Sequence, residues 1–174
     1  MIIAAIRDNN DYEEALNCRS SLIFDLNSSI LSLEETVEKV HKKNKKLFIH
    51  IDLAEGIGKD KVGIQYVKKI GVDGIISTRS NIIKQAREEG LSTVQRFFVL
   101  DSQSVNSIVE TVRTSKPGMI EIMPGTVHKI IRKLKEELNI PIITGGLIET
   151  QAEIDLALKE GAFAISTSKK DFWK

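Results

Sequence analysis

Residues 73–100 read DGIISTRSNIIKQAREEGLSTVQRFFVL. The opening DGIIST (73–78) is a short run rich in isoleucine, and STVQRFFVL (92–100) is a second run of β-branched and aromatic residues. Short runs with so little polar alternation are expected of strands buried on both faces. Between them Ile82, Ile83 and Ala86 recur at helical spacing, and Gly90 stands where the helix should stop. A strand, a helix and a second strand in so few residues make a crossover connection, and crossovers join parallel strands.

The same unit repeats in both directions. The further apolar runs are IIAAI (2–6), SLIFDL (21–26), LFIHIDL (47–53), GMIEIM (118–123), PIITGG (141–146) and AFAIST (162–167). Helical patterns lie in SLEETVEKVHKKN (32–44), SVNSIVETVRTS (104–115), TVHKIIRKLKEEL (126–138) and ETQAEIDLALKEG (149–161). Ser32 to Glu35 and Thr150 to Glu153 have the spacing of capping boxes, and Gly71 and Gly161 join Gly90 as helix stops. Eight strands in 174 residues leave roughly 22 residues per unit, enough for a strand, a helix and tight loops. The expected fold is a single α/β domain over residues 1–174, a small (β/α)8 barrel of the TIM type. Its loops are minimal and its last helix is truncated to KKDFWK (169–174). An open doubly wound sheet is the alternative, because counting strands does not prove closure.

Composition narrows the function. Lys and Arg total 25 against 24 Asp and Glu, so bulk positive charge does not hold a nucleic acid, although a local patch is not excluded. One cysteine, Cys18, excludes a disulfide framework and a cysteine-based zinc site and suits a reducing cytoplasm. No apolar run reaches the roughly 18–20 residues of a membrane span, and MIIAAIRD lacks the basic start of a signal peptide.

In a barrel the chemistry gathers at the C-terminal ends of the strands, and the loops after strands 7 and 8 often hold phosphate. Gly145 and Gly146 follow strand 7, and Ser166, Thr167 and Ser168 end strand 8. Glycine lets backbone approach a ligand, and main-chain N–H groups with hydroxyls suit an anion. Without a ligand the same residues are a tight turn and a helix cap. His50 and Asp52 alternate with Ile49 and Ile51, which sets both on one side of strand 3. They are either ligand-binding residues or a hydrogen-bonded structural pair, and no further histidine accompanies them to make a metal site. Gln95 and Glu121 are expected to point inward, and a buried Glu121 needs Arg79, Arg96 or Arg7 as a partner. Asp25 poses the same problem. Lys129, Arg132 and Lys133 form a basic helical face, either a contact for an RNA backbone or a solvated surface. Trp173 is a plug or an oligomer contact. No Walker loop, GxGxxG or nucleophile–base signature occurs.

FIHIDLAEGIGKD (48–60), ISTRSN (76–81), QRFFVLDS (95–102), IEIMPG (120–125), IPIITGGLIET (140–150) and AISTS (164–168) together resemble the glycerol uptake operon antiterminator family. The resemblance runs over the whole chain. It implies a cytoplasmic regulator, not an enzyme, whose effector is glycerol 3-phosphate and whose partner is the leader mRNA of glycerol-utilisation operons. Ligand binding would prevent premature termination of transcription. No other cofactor, metal or membrane is implied, and a homo-oligomer is compatible with it. The ligand phosphate would sit on Gly145, Gly146, Ser166, Thr167 and Ser168, and its glycerol end would face His50, Asp52, Arg79 and Glu121. Glu149 departs from the family pattern, since some members carry a basic residue there. A barrel enzyme acting on a phosphorylated triose, polyol or glycerophosphodiester is the alternative.

Overall fold

A computed structural model of the chain describes residues 1–101 and 103–174. The order is β1 (Ile2–Ile6), α1 (Tyr12–Asn17), β2 (Leu22–Asp25), α2 (Leu33–Lys42), β3 (Lys46–His50), α3 (Lys61–Lys69), β4 (Gly74–Ser77), α4 (Ser80–Glu88) and β5 (Ser92–Phe98). It continues with α5 (Ser104–Ser115), β6 (Met119–Met123), α6 (His128–Glu137), β7 (Ile142–Gly145), α7 (Gln151–Lys159) and β8 (Ala164–Thr167). The eight strands pair in chain order, all parallel, and β8 closes on β1 through Ile2↔Ile165 and Ala4↔Thr167. Closure removes the open sheet from consideration.

Strand residues alternate between two cores. Ile3, Ala5, Phe24, Phe48, Ile76, Val94, Ile143 and Ala164 fill the lumen, where the Phe24 and Phe48 rings stack with centroids 5.9 Å apart. The outward residues, among them Ile23, Ile49, Ile75, Ile122 and Ile165, meet the buried faces of the helices. This double burial is why the strands show so little polar alternation in sequence.

α1 and α3 lie outside the five expected helical patterns. α1 is six residues long with only Ala15 and Leu16 buried, too short to show a period. α3 carries Gly63 within it, and its N-terminus is fixed by the Asp60 carboxylate, which accepts from Gly63 N–H at 2.9 Å.

Of the two expected capping boxes, Thr150–Glu153 forms and Ser32–Glu35 does not. The chain turns into α2 through the Ser29 carbonyl, which accepts from Ser32 and Leu33 N–H. Ser32 is therefore not extended, and its hydroxyl is not aimed at the helix N–H groups.

The place of an eighth helix is taken by a single 3-10 turn, Lys170–Phe172. Trp173, 2% exposed, plugs that gap. Its Nε1–H donates to the Thr167 carbonyl at 2.8 Å, and its own carbonyl accepts from Arg19 N–H at 3.1 Å. The plug thereby fastens the end of β8 to the turn after α1.

Candidate functional site

A cavity of about 610 Å³ opens at the C-terminal mouth of the barrel, walled by residues from β1, β2 and β5–β8 and their loops. Its floor is an ion pair inside the lumen. Arg96 is 8% exposed and Glu121 is wholly buried. The Arg96 Nε–H donates to Glu121 Oε2 at 2.6 Å, and the Ser166 hydroxyl donates to Glu121 Oε1. Arg96 is thus the partner that a buried Glu121 required, and the Ser166 oxygen keeps its lone pairs for another donor. Among the hydrogen bonds of the described residues, Arg96 uses only Nε, which leaves its Nη groups for a ligand.

The wall beside this floor comes from the loops after β7 and β8. Gly146, Ser166, Thr167 and Ser168 line the cavity, and Gly145 lies just behind them. The two glycines serve different ends. A Cβ on Gly145 would stand 2.3 Å from Ser166 Oγ and 2.8 Å from the Ser166 carbonyl, so its bareness makes room for the Ser166–Glu121 contact. Gly146 has φ +74°, which turns the backbone over the cavity. Among the described residues, the N–H groups of Gly146, Leu147 and Ser168 enter no backbone hydrogen bond of the loops. Unspent N–H donors at a glycine turn suit an anion.

Cations complete that corner. Arg7 and Lys169 line the same cavity. Lys169 Nζ reaches across from the β8 loop to the Glu149 carbonyl at 2.8 Å, which sets a cation beside Glu149. Lys169 does not stand among the expected site residues, and Arg7 and Arg96 are expected only as partners for Glu121. Arg7 and Arg96 continue the lumen-facing alternation of Ile3–Ala5 and Val94, a signal that parity carries once closure is known. Lys169 is legible only from the adjacency of the last two loops. Leu26, Phe98, Met123, Leu147 and Ile148 form an apolar side of the cavity.

His50, Asp52 and Arg79 do not line this cavity, whereas Glu121 does. β3 ends at His50, so Asp52 lies in the following turn and the alternation that set it beside His50 does not extend to it. Asp52 instead organises the β4–α4 turn. It accepts from the Ser77 hydroxyl and Thr78 N–H, each at 2.8 Å, and lies 3.7 Å from Arg79 Nε. His50 faces the lumen from the end of β3, is buried, and its Nδ1 has no partner among the described residues. Burial first, and then the positive charge of Arg96, pushes its pKa down to about 4, against the pull of Asp52. It is a neutral imidazole at pH 7. An imidazole titrating near 4 in the fold and near 6.5 unfolded binds fewer protons folded than unfolded between those values. Stability is therefore expected to fall as pH drops from about 6.5 toward about 4, with the contribution gone below that. Urea midpoints measured over this range should show the decline, and His50→Gln should flatten it. A profile unchanged by that substitution would assign the effect elsewhere.

Gln95 corrects the expected register. It pairs with Ile120, while Arg96 pairs with Glu121, so Gln95 points out of the barrel. There it accepts from the Ser115 hydroxyl at 2.6 Å and donates to Ser80 at 3.0 Å, joining α5 to α4. Asp25 also faces outward, accepting from the Ser28 hydroxyl at 2.6 Å; burial first, and then the Asp25 charge, raises the Tyr12 phenol pKa. Among the described residues, no group of three or more His, Cys, Asp and Glu is placed to hold a metal ion. Nor, among the described residues, is any helix long and apolar enough to cross a membrane.

The basic face of α6 is exposed at Lys129, Arg132 and Lys133. Arg132 is committed to Glu160, its Nη2–H donating to Oε1 at 2.5 Å and its Nε–H to Oε2. Lys129 and Lys133 form no salt bridge among the described residues.

The family model described as glycerol-3-phosphate responsive antiterminator matches residues 2–173. The crystal structure of the glycerol uptake operon antiterminator regulatory protein of Listeria monocytogenes superposes with a TM-score of 0.93 at 34% identity, covering 99% of this chain and 94% of that one. An antiterminator-related protein of Thermotoga maritima gives a TM-score of 0.89 at 34% identity, covering 99% and 96%. YgcP, an uncharacterised protein of Escherichia coli K12, is 35% identical over 173 residues, 99% of this chain and 91% of that protein. With its barrel closed and its length matched almost end to end, the chain belongs to the glycerol-3-phosphate responsive antiterminator family.

Proposed function

We propose that this barrel is a cytoplasmic sensor that binds glycerol 3-phosphate and, once loaded, engages the leader of a glycerol-operon mRNA and prevents premature termination. The observation that carries this reading is the juxtaposition in one cavity of unspent N–H donors and a polar floor. Gly146, Leu147 and Ser168 supply the donors, with Lys169 and Arg7 beside them, and Arg96, Glu121 and Ser166 make the floor. The phosphate would take the N–H groups, the Thr167 and Ser168 hydroxyls and the two cations. The glycerol hydroxyls would donate to Ser166 and Glu121 and accept from Arg96. Gly145 and Gly146 give the ester its space. His50, Asp52 and Arg79 would act from behind the wall, His50 by crowding Arg96 and Asp52 by holding the Arg79 turn.

Effector action then requires only that the loaded state bind RNA better than the empty one. A coupling of about 1–3 kcal/mol would tighten RNA binding by about 5–150-fold. Lys129 and Lys133 are the RNA contacts that α6 offers, with Arg132 already held by Glu160. The test is a gel shift of the leader transcript at fixed salt, with and without glycerol 3-phosphate. The expected result is a ligand-dependent shift. In Lys129→Glu/Lys133→Glu it should weaken, and the salt dependence should flatten by roughly two in log–log slope. Equal RNA affinity with and without ligand would overturn the sensor reading.

A further inference from the structure

We infer that the C-terminal rim of the barrel is the face through which two copies of this chain associate. Ten large apolar side chains are exposed among the described residues, and six of them stand on this one rim. They form two lobes on opposite sides of the mouth, since β2 and β3 lie across the closed ring from β5–β7. Ile30, Leu31 and Leu53 make one lobe, held together where Ile30 N–H donates to the Glu55 carbonyl at 2.9 Å. Phe98, Leu100 and Leu147 make the other, continuous with the apolar side of the cavity that Phe98 and Leu147 line. Leu31 is 93% and Leu100 90% exposed.

With roughly 200 Å² for each fully exposed side chain, the two lobes leave on the order of 800 Å² of apolar surface in water. Each lobe alone, on the order of 400 Å², lies within the roughly 300–600 Å² of the largest patch on an ordinary monomer. Together on one rim they match the roughly 800 Å² that each partner of a stable complex covers.

The occupant follows from charge and symmetry. A nucleic-acid face needs cations in excess and little exposed leucine. This rim instead alternates signs, with Arg7 next to Asp8, and Glu55 and Lys59 in one loop. A two-fold interface must complement itself, so that when a residue meets a second one, the second meets the first in turn. Two apolar lobes facing each other across the mouth, set among charges of both signs, meet that condition. The lobe of Leu31 and Leu53 in one copy would cover the lobe of Leu100 and Leu147 in the other, and each mouth would be roofed by its partner.

Sedimentation velocity of the full chain across nanomolar to micromolar concentrations tests this. The expected result is a dimer whose dissociation constant rises about 100-fold in Leu31→Asp/Leu100→Asp, with the melting temperature retained. Should that double variant fail to fold, Leu53→Asp alone probes the same contact from one lobe. A wild-type chain that stays monomeric throughout, or a dimer indifferent to these substitutions, would overturn the inference. So would a monomer whose leader-transcript binding is lost in the same variants, since the rim would then belong to RNA.

Discussion

Arg96→Met is expected to cost about 3–5 kcal/mol of unfolding free energy and to abolish effector binding. The estimate rests on the asymmetry of buried ion pairs. Taking both charges away together is often harmless, whereas removing one leaves the other uncompensated. Glu121 is wholly buried, and without Arg96 its remaining donor among the described residues is the Ser166 hydroxyl. For a domain of this size the loss corresponds to roughly 6–20 °C of melting temperature. The double replacement Arg96→Met/Glu121→Leu is expected to recover most of the stability but none of the binding. Urea unfolding of the three proteins distinguishes the outcomes. A single-variant cost below about 1 kcal/mol would show that the pair is solvated and is not the floor of the site.

Gly145→Ala is the second large effect. The new methyl group would meet Ser166 Oγ at 2.3 Å and the Ser166 carbonyl at 2.8 Å. The hydroxyl can rotate away, but the carbonyl belongs to a strand paired with β7 at this very position, Gly145↔Ser166, and cannot. Overpacking of this kind costs about 1–3 kcal/mol. More telling, it would drive Ser166 off Glu121, so effector binding should be lost even at temperatures where the variant is folded. Gly146→Ala makes the informative contrast. Its obstacles are a left-handed φ and the tip of Met123 at 2.7 Å, a side-chain end that can move aside. It should lose about 1 kcal/mol and part of its affinity. Equal binding by Gly145→Ala and the wild type would show that the Ser166–Glu121 contact is irrelevant to the ligand.

Much of this architecture is legible in the sequence because burial on both faces leaves a mark. Every strand that closes the barrel shows as an apolar run, and Gly71, Gly90 and Gly161 each take positive φ just past a helix. What is not legible depends on distances that only closure creates. Gln95 and Arg96 are neighbours, and one residue of register decides which faces the lumen. Asp52 looks like the partner of His50 until β3 is seen to end two residues short of the aspartate. Arg132 reads as a free cation, yet Glu160, 28 residues away in sequence, takes it. Lys169 has no motif at all, and it enters the site because the β7 and β8 loops are adjacent. The corner proposed to hold phosphate is therefore half readable. Its glycines and hydroxyls announce themselves, while its cations do not.

The cavity's chemistry is tested most directly by isothermal titration of the full chain with glycerol 3-phosphate and, separately, with glycerol. The expected result is saturable binding of the phosphate ester at one site per chain, with no heat of binding from glycerol. Equal binding of both compounds, or no binding of the phosphate ester, would contradict an anion held by the loops after β7 and β8.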